Sequence, residues 1–185
     1  FADNGYKVAM QVDNNQAVML DCMNGTLNNG VMFRAYIIEQ GGLARICYSL
    51  TNTNTSDVSI SLGVHADVMI GNNDRAPISR RIDTFGNTYG LTMRDGAGAQ
   101  LCVLLGYGLT GVTAVNDYWF GLCGLNSRAI EMVGNYRSGC EYWTGCEYWT
   151  GCEYWTGCDD YMQENGSYDS GMGWCWKNRS IASGE

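Results

Sequence analysis

Four cysteines spaced six apart, Cys140, Cys146, Cys152 and Cys158, are the densest reactive groups in the sequence. They belong to GCEYWTGCEYWTGCEYWTGC, residues 139–158, one hexapeptide written three times and closed by a fourth Gly-Cys. Structural zinc sites draw thiolates in pairs two to four residues apart, so that a tight knuckle brings two sulfurs onto one ion. A spacing of six lacks that knuckle, and Glu141, Glu147 and Glu153 are hard ligands poorly matched to soft thiolates. Disulfides are therefore the expected chemistry, either among these four or out to Cys123 and Cys175. Each unit also carries an aromatic pair: Tyr142 and Trp143, Tyr148 and Trp149, Tyr154 and Trp155. In a polar stretch such rings are expected to be exposed or mutually stacked, where they form a ligand surface for sugars or partner side chains.

Asp67, Asn72, Asn73 and Asp74 form a second constellation beside Gly71. Carboxylate and amide oxygens gathered at a strand end are what calcium takes, six to eight at flexible geometry. The twelve-residue spacing of an EF-hand is absent, and Asx residues build turns without any metal. No other cofactor is indicated. His65, the single histidine, shares a strand face with Asp67 at i, i+2, an arrangement that can orient an imidazole. No nucleophile elbow accompanies it, a hydrogen-bonded strand histidine is the better account, and no catalytic residue is nominated. Two acids such as Asp67 and Asp74 would instead define a glycan-active enzyme if their carboxyl groups faced each other across a cleft.

The elements that must position these groups are strands. Apolar residues make up 45% of the 185-residue chain and charged residues 16%, with 25 glycines, a profile of short strands and turns in one domain spanning 1–185. Val31–Ile38 and Leu43–Leu50 read as a hairpin closed by Gln40-Gly41-Gly42. Val58–Val64 alternates with period two, and further strands are expected at Tyr89–Arg94, Gln100–Gly106 and Asp117–Leu122. Lys7–Gln11 and Ala17–Cys22 read as a hairpin around Asp13-Asn14-Asn15. Ser127–Val133 is the best helical candidate. Trp119 and Trp174 are expected in the core. The fold class that follows is all-β, an antiparallel β-sandwich, large or incomplete, with strands every ten or so residues.

A period of six is even, so in a ribbon Cys, Tyr and Thr would share one face and Gly, Glu and Trp the other. Three copies make about one turn of a β-solenoid, too little to bury anything. Removing Cys140–Gly157 joins two polar segments, so 139–158 reads as a loop insertion, whether it is used or records a recent duplication. As an exposed ribbon it would also offer a route to self-assembly.

Nine cysteines and four Asn-x-Ser/Thr sequons, at Asn24, Asn54, Asn165 and Asn178, point to secretion or the cell surface. A net charge of -8, with 11 scattered Lys and Arg, argues against nucleic acid. No apolar run is long enough to span a bilayer. The chain opens on Phe1 and closes on Ser-Gly-Glu, which reads as a piece of something longer.

The blocks His65-Ala66-Asp67-Val68-Met69-Ile70-Gly71-Asn72-Asn73-Asp74-Arg75-Ala76-Pro77, Tyr118-Trp119-Phe120-Gly121 and Gly171-Met172-Gly173-Trp174 resemble β-sandwich regions of large secreted or surface-anchored microbial proteins of the adhesin type. The likeness spans roughly residues 30–180, and the hexapeptide repeat departs from it. It implies an extracellular adhesion or carbohydrate-associated module and brings no catalytic residue. The expected function is therefore a non-catalytic binding module for a glycan or protein surface. A glycan-active enzyme using paired carboxylates and a structural module assembling through the repeat are the alternatives.

Overall fold

The computed structural model describes residues 5–74, 76–122, 128–133 and 170–185. Among these the chain is all-β and antiparallel, with three sheets and one short helix. A five-stranded sheet is built from β1 (Tyr6–Val12), β2 (Val18–Met19), β6 (Val58–Asp67), β10 (Asp117–Leu122) and β11 (Ser170–Ile181), in the order β10-β11-β6-β1-β2. A second sheet holds β3 (Thr26–Asn28), β4 (Val31–Gln40) and β5 (Leu43–Asn52), and a third β7 (Ile78–Ile82), β8 (Thr88–Arg94) and β9 (Gln100–Leu104).

Period-two alternation decides which side chains meet. From the large sheet Val8, Met10, Val12, Ile60, Leu62, Val64, Met172 and Trp174 enter one core. Val31 and Phe33 of the second sheet and Ile78, Leu91 and Met93 of the third enter the same core. One layer is thus the five-stranded sheet, and the other is shared by two three-stranded sheets.

The opposite face of the large sheet carries small residues where the helix packs. Ala9 pairs with Gly63, and Gly63 with Cys175, in one row across three strands. Helix α1 (Arg128–Val133) covers this row through Ala129, Met132 and Val133. A Cβ on Gly63 would collide with the Ala129 carbonyl oxygen and stand 2.9 Å from Met132 Cβ, so the helix sits this low because Gly63 has no side chain.

The hairpin expected at residues 31–50 is present as β4 and β5. Its turn residues Gly41 and Gly42 have φ of 60° and 78°, the left-handed pair that a two-residue turn needs to match strand twist. The expected strands at 58–64, 89–94, 100–106 and 117–122 correspond to β6, β8, β9 and β10, and the helical candidate to α1. The N-terminal hairpin forms with a second strand of two residues only, Val18–Met19, where 17–22 was expected. Leu20 leaves the strand but still donates its N–H to Val8 O at 2.9 Å. β3 and β7 carry no alternation long enough to be read from sequence, and both form as short edges against longer partners.

Candidate functional site

A cleft of about 700 Å³ opens where the β7–β8 turn meets the segment between β9 and β10. Tyr89, Tyr107 and Tyr118 line it together with Asp83, Asn87 and Thr88. Tyr89 and Tyr118 come from strands, while Tyr107 sits between Gly106 and Gly108, both at positive φ.

The turn is self-supporting. Asp83 Oδ1 accepts the backbone N–H groups of Phe85 at 2.8 Å and Asn87 at 2.9 Å, and its Oδ2 accepts Asn87 Nδ2 at 3.1 Å. Hydrogen bonds from Asn87 hold the Asp83 carboxyl below the usual carboxylate range. Asp83 is thereby committed to the turn, and Phe85 at its tip is 88% exposed.

Each phenol hydroxyl is tied to the protein. Tyr107 donates to Val115 O at 2.8 Å, Tyr89 accepts Arg81 Nε at 3.1 Å, and Tyr118 lies 3.0 Å from Thr88 Oγ1 and 3.4 Å from Arg80 Nη1. The Arg81 guanidinium carbon also stands 5.6 Å from the centre of the Tyr89 ring. The hydrogen bond to Tyr89 pushes the Arg81 pKa further up, so its charge is permanent. Partial burial raises the Tyr107 pKa, with Asp117 adding to it, so this phenol stays neutral. The cleft therefore offers three aromatic rings tethered at their hydroxyls with polar groups at the rim. Asp83 is the single carboxylate in its lining. An acid/base pair of the glycosidase kind needs two.

The groups nominated from sequence are placed elsewhere or lie outside the described residues. Asp67 ends β6 in an exposed position beside Gly5, where a Cβ would come 3.2 Å from Asp67 Oδ2. Asn72, Asn73 and Asp74 follow in a tight turn closed by Ile70 N–H to Asn73 O at 3.1 Å and Asn73 N–H to Ile70 O at 3.0 Å. Ser170 links both segments, accepting Val68 N–H at 3.0 Å and donating to Asp74 O at 2.7 Å. Asp95 Oδ2 approaches the same turn, 3.8 Å from the Cβ position of Gly71. Among the described residues no three His, Cys, Asp or Glu side chains converge as a metal site. His65 is 3% exposed and packs against Trp119 with ring centres 5.8 Å apart, while Asp67 two residues on faces solvent. Trp119 and Trp174 are core residues as expected.

Among the described cysteines, Cys22, Cys47, Cys102 and Cys175 are free thiols. Cys175, one of the two partners considered for the repeat, is fully buried, and burial pushes its pKa up to about 12. The other, Cys123, lies outside the described residues, as do Cys140, Cys146, Cys152, Cys158, the repeat aromatics Tyr142, Trp143, Tyr148, Trp149, Tyr154 and Trp155, and sequon Asn165. Asn24 and Asn178 are exposed, whereas Asn54 is half-buried and donates both to Asn29 O and to Asn52 Oδ1, each at 3.0 Å.

Tyr118 was visible in the sequence as part of an aromatic block. Tyr89 reads only as the first residue of a strand, and Tyr107 carries no signal beyond its flanking glycines. Their convergence is a product of tertiary structure. Comparison with protein-family models, curated proteins and solved structures gives no match.

Proposed function

We propose that this protein is a non-catalytic binding module of a secreted or surface-anchored chain, and that the Tyr89–Tyr107–Tyr118 cleft receives a glycan. The observation that carries this reading is the anchoring of all three phenol hydroxyls around one opening. Rings held this way present apolar faces at little entropic cost, and sugar C–H faces stack on such surfaces while their hydroxyls reach rim groups such as Thr88 and Asn87. The sequons support the extracellular setting.

Binding is tested on a glycan array followed by titration of any ligand found. Tyr107→Ala removes a ring 37% exposed and so is expected to weaken binding at least tenfold with the fold intact. Silence across the array, or unaltered affinity in both Tyr107→Ala and Tyr89→Ala, would overturn the assignment. Turnover of a glycan that vanished in Asp67→Asn would instead favour the enzymatic alternative.

A further inference from the structure

β5 is an edge strand ten residues long with no proline, no lysine and a single charge, Arg45. Such an edge lacks the devices that usually block pairing with another chain. The Gly41-Gly42 turn fixes which of its backbone groups face β4. Leu43, Cys47 and the other odd-numbered residues bond to β4, leaving Ala44, Ile46, Tyr48 and Leu50 with their N–H and C=O groups pointing outward. Asn52, next in that series, is capped: its N–H donates to Glu185 O at 2.8 Å and its carbonyl accepts Gly184 N–H at 3.0 Å. Among the described residues nothing bonds to the backbone of the other four. The same hairpin carries exposed apolar side chains toward its tip, with Ile37 57%, Leu43 62% and Ile46 37% exposed.

The four free positions are symmetric about Cys47. We infer that the β5 edge is a homodimer interface in which a second copy of this chain pairs antiparallel with β5 across a two-fold axis at Cys47. That register sets Ala44 opposite Leu50 and Ile46 opposite Tyr48 of the other copy, and each pair exchanges two backbone hydrogen bonds. Shifting the axis by one residue in either direction leaves a free group unmatched or runs into the capped Asn52. Centring on Arg45 would place two like charges face to face, whereas the axis at Cys47 sets Arg45 against Ser49. The pairing also lays the protruding, apolar tip of each hairpin along the base of the other.

At the axis the two Cys47 residues form a non-hydrogen-bonded pair, with Cα atoms about 4.5 Å apart, close enough for a disulfide. Diamide, which takes up the two electrons and two protons released as the thiols join, should yield a peptide linked Cys47 to Cys47, identified by mass spectrometry. Sedimentation of the full chain should show a concentration-dependent dimer. Cys47→Lys and Cys47→Glu each set like charges on the axis and should weaken dimerisation roughly tenfold, while an equimolar mixture of the two should restore it. A monomer up to the solubility limit would overturn the inference. So would a dimer indifferent to both substitutions, or wild-type oxidation that never links Cys47 to itself, a readout that requires no variant to fold.

Discussion

Asn52 shows how much one buried amide can hold. Its Nδ2 lies within hydrogen-bonding distance of Ser56 O at 2.8 Å, Ile181 O at 3.1 Å and Ala182 O at 3.2 Å, and its Oδ1 accepts from Asn54 N and Nδ2. Asn52→Ala strands these buried partners, so urea unfolding should register a loss of about 2–4 kcal/mol. Asn54 needs both protons of its amide, and a glycan would remove one of them. Expressed through a secretory pathway, the chain should therefore carry sugar at Asn24 and Asn178 and leave Asn54 bare, which glycopeptide mass spectrometry reads directly. Cys175 sets the alkaline behaviour. Its folded thiol ionises near pH 12 and the unfolded one near pH 9. A group whose pKa is raised by folding contributes its full stability below the unfolded value and loses it as pH climbs toward the folded one. Melting temperature should fall between about pH 9 and 12, less steeply in Cys175→Ala.

Among the elements, β6 is buried on both faces, pairing with β1 on one side and β11 on the other while α1 lies across it. Period-two alternation sets Ile60, Leu62 and Val64 on one face and Ser61, Gly63 and His65 on the other. Both faces are buried, with α1 over Gly63 and Trp119 against His65. Gly63→Val should cost about 2–3 kcal/mol in urea unfolding, since the helix must lift to admit the side chain. Gly96→Ala, at a glycine with nothing within 4 Å of its Cβ position, should be nearly silent.

At the scale of the molecule, β10 and β11 pair with Leu122 opposite Ser170, so the intervening chain leaves and returns at one place. Closure entropy depends only logarithmically on loop length, and removing the eighteen residues from Cys140 to Gly157 halves the connection between α1 and β11, a change of about 0.6 kcal/mol. The deletion protein should fold and melt within a few degrees of the full chain. Loss of cooperative unfolding would show that the repeat contributes to the core.

Local signals determined the all-β class, the Gly-Gly hairpin and most strands, because alternation and turn chemistry act over neighbours in sequence. They also marked Trp119 and Trp174 as core. The short strands β3 and β7 were not legible, since each is held by a longer partner rather than by its own pattern, and the twelve-residue β11 was not among the expected strands either. The same holds for the cleft. Tyr89, Tyr107 and Tyr118 lie on separate segments, and only sheet packing brings them to one opening. The acids around residue 70 drew notice because they are adjacent in the chain, yet strand-end geometry leaves Asp67 and Asp74 exposed and ties Asn73 into a turn. Proximity in sequence proposes a site, but burial, register and the paths of side chains decide which groups share one.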